Sequence, residues 1–312
     1  MSIDRFVLGT AVIGGLYRPV DDETANGLLA KAWESGVRSF DTAPHYGAGL
    51  SERRLGAFLR QFPRDSYAVS TKVGRLLVPT DADVEGDHGF FGGDKNRRII
   101  DYTAAGVRRS LEQSLERLGI DRVDTLYVHD PEDHMDAAIH EAAPALSELR
   151  DQGVIRSYGA GMNFAPELTR FVNGTDADTI MVAGRYTVLD RTAETELLPA
   201  CADRGVGIVA AGVYNSGILA EPTSGAHFNY QRAPDHVIRK VAELQALCTE
   251  FDVPLRAVAM QFPLRHACVG KVCVGARNAE ELRQNVEQLS VHVPDELWRA
   301  VDAFDAITTS DT

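Results

Sequence analysis

Cysteine is scarce in this chain. Its 312 residues hold four, Cys201, Cys248, Cys268 and Cys273, and no two stand in CxxC spacing. That excludes a disulfide framework as the organising device and fits reduced thiols in a cytoplasmic protein. Cys268 and Cys273 have no His or Cys partner at ligand spacing, so no metal site is expected there. Basic residues are also short: 32 Lys+Arg face 45 Asp+Glu, a formal charge of -13 without an offsetting Lys/Arg cluster. Such a surface repels nucleic acid and anionic membranes and favours solubility. Long apolar runs are missing, none reaching the roughly 18 residues of a membrane helix. The opening Met-Ser-Ile-Asp does not read as a signal peptide. The expected partner is a small molecule, with no nucleic acid and no membrane, and the expected state is a monomer or small homo-oligomer.

What the chain does contain is strict alternation. Short apolar runs at Phe6–Gly9, Val37–Asp41, Tyr67–Lys72, Thr125–His129, Ile155–Gly161, Thr179–Ala183, Gly207–Ala211 and Lys271–Val274 read as strands. Amphipathic stretches between them read as helices. The clearest is Thr103–Leu118, where Val107, Leu111, Leu115 and Leu118 recur at helical spacing and Gly119 offers a left-handed cap. Eight strand–helix pairs argue for an α/β fold, a (β/α)8 TIM barrel, and the 44% hydrophobic content suits one domain over residues 1–312. The competing open sheet usually carries GxGxxG after its first strand, and Leu8-Gly-Thr-Ala-Val-Ile-Gly-Gly15 is not that pattern. Pro254–Phe262 and Pro294–Ala303 read as two extra C-terminal helices outside the ring, and Thr308–Thr312 as a frayed end. Two connections are long, Val73–Tyr102 after strand 3 and Gly212–Ala233 after strand 7. Their aromatic residues favour covers over a pocket, with solvated insertions as the other reading.

The strand ends carry the chemistry. Asp41 closes the second strand and is followed by Thr-Ala-Pro-His-Tyr46-Gly47; Lys72 closes the third and His129 the fourth. In a parallel barrel these ends converge on one mouth. A tyrosine hydroxyl has an ordinary pKa of about 10, and a neighbouring ammonium favours its phenolate. A carboxylate keeps the lysine charged and aimed, and a histidine can donate a hydrogen bond to a substrate oxygen. Tyr46, Lys72, Asp41 and His129 fill those roles as a proton relay for a carbinol or carbonyl oxygen. No serine or cysteine nucleophile paired with a base is evident, and a relay alone oxidises nothing, so a hydride acceptor must come from outside. His129-Asp-Pro-Glu-Asp-His134 also suggests a metal cluster, but Pro131 and the mixed spacing argue against it. His45 and His134 read as supporting or surface groups.

The D-x-A-x-x-Y-G segment with Ser51-Glu52 behind it, Ser70-Thr-Lys72 and Leu126-Tyr-Val-His-Asp130, taken in order, resemble the aldo-keto reductase superfamily nearly end to end. The resemblance implies a barrel that binds NAD(P)H across its mouth, with Tyr46 as acid or base. It implies cofactor contacts from Gly9, Thr10, Asn163, Arg185, Tyr186, Asn215, Ser216, Gly217, Leu219, Gly275, Arg277, Glu281 and Asn285. Asn163 matches the family's amide-holding pair while Met162 departs from it, and Gly184 and Ala211 replace the usual Gln and stacking Tyr, with Tyr214 three residues on. NADP-using members carry Lys at the place of Gly275 and Arg at the place of Glu281. The acidic residue here favours NAD over NADP, with Arg277 as the counter-argument. The chain is most similar to the branch that oxidises cyclic hemiacetals of aldoses or pyridoxal to lactones with NAD. Tyr17, Phe90 and Phe91 are the expected substrate walls. An NADPH-dependent aldehyde or ketone reductase and a cofactor-binding accessory subunit without turnover are the alternatives.

Overall fold

The computed structural model describes residues 1–223, 225–229 and 231–307. Tyr230 of the second long connection and the Thr308–Thr312 end lie outside the described residues. Eight parallel strands close a barrel: β1 (Phe6–Gly9), β2 (Ser39–Asp41), β3 (Ala68–Val73), β4 (Thr125–His129), β5 (Ser157–Met162), β6 (Thr179–Ala183), β7 (Gly207–Ala211) and β8 (Val269–Val274). They pair in chain order, and β8 closes on β1 through Phe6–Val272 and Leu8–Val274.

Helices lie between the strands: α1 (Asp22–Glu34), α2 (Leu50–Leu59), α3 (Ala104–Leu118), α4 (Ala143–Asp151), α5 (Ala165–Gly174), α6 (Leu197–Arg204) and α7 (Asp235–Glu250). Then come α8 (Leu255–Gln261), α9 (Ala279–Gln288) and α10 (Asp295–Asp302), of which α8 and α10 are the two extra helices. The ends of α3 follow from local chemistry. The Thr103 hydroxyl accepts from Gly106 N at 3.1 Å, and Gly119, at φ 62°, returns its N–H to Leu115 and Glu116. The helix that reads as Asp136–Gln152 is broken by a π turn at Ala138–Ala142 before α4 begins.

Strand residues divide by parity. Leu8, Phe40, Leu126, Val128, Ile180 and Val182 point outward into the main core beneath the helices, each such burial contributing roughly 1.5–3 kcal/mol. The opposite set lines the barrel interior, where Val7, Tyr127, Met181 and Cys273 form a separate small cluster. Asp41, Lys72 and His129 belong to this inner set, brought together by the registers Asp41–Ser70, Lys72–Tyr127 and His129–Gly161.

The long connections hold structure of their own. Arg75–Pro79 and Asn96–Ile100 pair as an antiparallel ribbon after β3, and His227–Phe228 with Gln231–Arg232 form a smaller one after β7. The β3 ribbon's loop is stitched to the loop after β1 by a Leu16–Phe90 bridge and by Tyr17 N to Gly89 O at 2.8 Å. These two loops roof one side of the mouth.

Candidate active site

After Asp41 the chain turns so that Tyr46 lies back across the barrel end. Gly47 makes this possible: its φ is 60°, and a Cβ there would stand 2.2 Å from the Gly14 carbonyl oxygen. Only glycine fits a left-handed residue pressed against another backbone.

Lys72 is the centre of the arrangement. Its Nζ donates to Asp41 Oδ2 at 2.6 Å, to the Thr42 carbonyl at 2.9 Å and to Tyr46 Oη at 3.1 Å. The other oxygen of Asp41 accepts from the Ser70 hydroxyl at 2.7 Å. Asp41 and Lys72 are both buried. Burial opposes the charged form of Lys72, yet Asp41 and Tyr46 outweigh it and raise its pKa, so the ammonium persists. Tyr46 behaves otherwise than its lysine neighbour alone suggests. Burial pushes its hydroxyl above the usual tyrosine range, Lys72 pulls it down and Asp41 adds to the upward push; the net is upward.

His129 stands across from the phenol, ring centres 5.9 Å apart and nearly perpendicular. Burial, with Lys72, Arg75 and His45 around it, lowers its pKa well below the usual histidine value, so the imidazole is neutral. Its Nδ1 is buried and has no partner among the described residues. Its backbone is held by Tyr102, whose hydroxyl donates to the His129 carbonyl at 2.7 Å. His45, expected as a supporting group, is brought into the site, 5.5 Å from His129 and 5.3 Å from Phe90. Burial and then Arg75 and Arg98 take it down to about 2. His134 lies away from the phenol, against Tyr102. Sequence reasoning passed over Arg75, Arg98, Tyr102 and Ser70. The first three arrive through the β3 ribbon and the segment that follows it, which the sequence reads as loop. Ser70 stands in the Ser70-Thr-Lys72 motif, and only parity, two residues before Lys72, places its side chain beside Asp41.

Of the expected walls, Phe90 stacks on Tyr46 at 5.9 Å. Phe91 is half-buried, its backbone N–H donating to Gly15 O at 3.0 Å. Tyr17 stands 59% exposed on the rim.

The expected cofactor residues divide. Gly9 ends β1, and Asn163 follows β5, half-buried. Thr10 is spent inside the protein: its hydroxyl donates to Asp41 O at 2.8 Å and lies 2.8 Å from Ser51 Oγ, so it braces the strand that carries Asp41. Tyr186 is not brought to the mouth; its ring packs on Phe262 and His266. Arg185 pairs with Asp190 at 3.2 Å and donates to Asn229 Oδ1 at 2.7 Å, tying the β6 and β7 connections together. Asn215 points inward, accepting from Thr187 at 2.7 Å and donating to Gly184 O at 3.1 Å. Leu219 is fully buried, and Tyr214 is buried with Arg256 over its ring and no partner for its hydroxyl among the described residues. Asn215, Ser216 and Gly217 form a left-handed run with φ of 45°, 59° and 96°. At the start of α9, Arg277 donates to Glu281 Oε2 at 2.9 Å and to Glu221 Oε1 at 2.9 Å, and Gly275 is exposed.

Two observations fit an extended dinucleotide on this side of the mouth. A Cβ on Gly217 would meet nothing within 4 Å, so bare backbone is open to a ligand. Among the described residues the Asn285 Oδ1 is buried without a partner while its Nδ2 donates to Gly275 O at 3.3 Å, leaving an acceptor for a base or ribose.

A closed parallel barrel whose mouth gathers a phenol, an ammonium, a carboxylate and neutral imidazoles defines an oxidoreductase that works with a dissociable hydride carrier. The chain belongs to the aldo/keto reductase family, which it matches over residues 5–306. It is an NAD(P)-dependent oxidoreductase acting on CH–OH groups. It is 46% identical to a D-threo-aldose 1-dehydrogenase of Pseudomonas sp over 96% of this chain and 93% of that one. It is 41% identical to a pyridoxal 4-dehydrogenase of Microbacterium luteolum, again covering 96% and 93%. Among solved structures, a glycerol dehydrogenase of Gluconobacter oxydans shares the fold, with a TM-score of 0.74, 24% identity and coverage of 97% and 95%.

Proposed function

We propose that this protein oxidises the anomeric hydroxyl of a cyclic hemiacetal, an aldose or pyridoxal, to a lactone, with NAD as the preferred cofactor and residues 1–312 acting as one catalytic unit. The observation that carries the reading is the Lys72 ammonium held between Asp41 and Tyr46 at 2.6 and 3.1 Å. A bound nicotinamide dinucleotide supplies the hydride acceptor.

The chain's own residues handle the proton. Tyr46 Oη takes the proton of the anomeric hydroxyl, and Lys72 stabilises the phenolate that has to exist for that transfer. Asp41 keeps Lys72 charged and Ser70 keeps Asp41 aimed. His129, neutral, has one ring N–H to give to the substrate oxygen and so orients it without competing for the proton. Phe90 excludes water from one face of Tyr46. The two dehydrogenases that are 46% and 41% identical to this chain support the substrate class.

Glu281 supports NAD over NADP. Its carboxylate stands at the N-terminal turn of α9, where a 2′-phosphate would be repelled and a free ribose hydroxyl could donate to it. The counter-argument from Arg277 weakens, because that guanidinium is already committed to Glu281 and Glu221. A second reading has an observation in its favour. A Tyr46 hydroxyl pushed above its ordinary range keeps its proton at neutral pH, which suits a proton donor in carbonyl reduction.

The test is an absorbance screen at 340 nm over aldoses and pyridoxal with NAD and NADP at equal concentration, with Tyr46→Phe alongside. Lactone formation with NAD, lost in Tyr46→Phe without loss of NAD binding, is the expected result. A preference for NADP overturns the cofactor reading, and wild-type turnover in Tyr46→Phe removes Tyr46 from the mechanism.

A further inference from the structure

The inner parity that supplies Asp41, Lys72 and His129 at one end continues to the other end of the barrel, where it builds a second cavity. The cavity measures about 300 Å³ and opens at the strand starts, opposite the mouth. Its collar is polar: Ser39, Thr125, Ser157, Thr179 and Lys271 come from five strands. Its deeper wall is mostly apolar, built from Val7, Val209, Tyr127 and Met181, with Ser70 closing the inner end. Val209 and Ser70, two residues inside their strands, keep partial exposure, so the cavity reaches well into the barrel.

Lys271 is the distinctive group. It is half-buried, its Nζ donates to Ser39 Oγ at 2.7 Å, and among the described residues it has no carboxylate within ion-pair distance. The one carboxylate in the wall, Asp124, is already satisfied. It pairs with Arg64 at 2.6 Å and Arg156 at 3.3 Å and accepts from Val69 N at 2.9 Å. Arg5 adds a further cation on the rim, donating to Gly270 O at 3.0 Å. A chain of formal charge -13 thus places an excess of positive charge around this opening. Burial lowers the pKa of Lys271, against the pull of Asp124 and Asp4, and an arriving anion would relieve that penalty.

We propose that this floor cavity binds a small organic carboxylate, its charged end on Lys271 and the collar hydroxyls and its carbon end against Met181 and Val209. The division of the walls sets the class. An inorganic anion would use the collar and leave the apolar depth empty, and a neutral apolar molecule would leave the ammonium unpaired. The Thr125 and Ser157 hydroxyls, 2.8 Å apart, share one hydrogen bond, so one hydroxyl proton of the pair is free to donate.

The experiment follows the methyl resonance of Met181, one of five methionines, in protein labelled with [13C-methyl]methionine and saturated with NAD so that the mouth is filled. Titration with butanoate should shift that resonance saturably. Lys271→Gln should weaken the effect at least tenfold, and Lys271→Arg should keep it within about threefold. Should Lys271→Gln fail to fold, Ser39→Ala, which removes a collar hydroxyl and the acceptor that positions the ammonium, should weaken binding severalfold. Inorganic phosphate should act at least tenfold more weakly than butanoate. A Met181 resonance that does not move, an effect undiminished in both Lys271→Gln and Ser39→Ala, or phosphate as effective as butanoate would overturn the proposal. None of these outcomes depends on the reaction at the mouth, so the proposed function stands or falls separately.

Discussion

Replacing Lys72 by methionine removes the ammonium and little of the volume. At the observed 3.1 Å from Tyr46 Oη, and with an effective dielectric constant of about 20, a unit charge stabilises the phenolate by about 5 kcal/mol. That corresponds to about 4 pKa units. A proton transfer feels part of this at its transition state, so kcat for hemiacetal oxidation should fall on the order of 10³-fold. The variant also leaves Asp41 buried beside Ser70 without its cation, and breaking a buried pair in this way costs roughly 3–5 kcal/mol of stability. Asp41→Asn combined with Lys72→Met removes that lone charge. The double variant should recover most of the lost stability in urea unfolding while its kcat stays low. The assay is kcat and kcat/KM by NADH absorbance, with NAD affinity measured separately by fluorescence titration. If Lys72→Met kept more than a tenth of wild-type kcat, or the double variant regained activity together with stability, the electrostatic reasoning would be wrong.

The pH dependence has a definite sign. Because burial raises the pKa of Tyr46, the phenolate needed for oxidation is a minority species at neutrality, so kcat/KM for oxidation should rise with pH through the range 7–9; a flat profile there argues against a Tyr46 base. Glu281→Arg removes the carboxylate proposed to meet the ribose and frees Arg277 from one of its two partners. The NAD to NADP ratio of kcat/KM should drop at least tenfold, and an unchanged ratio would discount Glu281 as the discriminator. Gly47→Ala puts a methyl 2.2 Å from the Gly14 carbonyl oxygen at a φ of 60°. Stability in urea should fall by at least about 2 kcal/mol and turnover should fall with it; a neutral Gly47→Ala would mean that the Tyr46 turn is not held as described.

The barrel was legible because its two periodicities do not mix. Most outward strand positions are branched or aromatic apolar residues and the helices carry one apolar stripe, so element types and order could be read, the strands to within about two residues. The four mouth groups were legible because each sits within a few residues of a strand end. What stayed hidden depended on contacts between segments far apart in sequence. The ribbon after β3 alternates weakly, Arg75-Leu-Leu-Val-Pro79 against Asn96-Arg-Arg-Ile-Ile100, and only cross-strand pairing makes it a ribbon. With it were hidden Arg75, which helps keep His45 and His129 uncharged, and Arg98, which does so for His45. Tyr186 reads as a mouth residue because it follows β6 closely. Its packing on Phe262 is decided by α8, which lies some 70 residues later in the chain.

The mouth end of the barrel interior is polar, and that polarity bears on how the site keeps its geometry. A charged pair such as Asp41–Lys72 is costly to bury, and it persists only if neighbouring groups fix it. On the inner face Ser70 does so for Asp41. On the outer face of the same strand, Thr71 donates to the buried Glu52 Oε1 at 2.7 Å, and Glu52 pairs with Arg117 of α3 at 2.6 Å. Thr71 is adjacent to Lys72, and Glu52 lies on α2 just beyond the Tyr46 turn. The Thr71–Glu52 hydrogen bond thus joins the strand that carries the ammonium to the helix that follows the phenol, and the ion pair of buried Glu52 with half-buried Arg117 ties that helix to α3. The 3.1 Å contact between Lys72 and Tyr46 is held from both sides of β3. Inward polarity supplies the groups of the mouth, and outward polarity fixes the distance at which they meet.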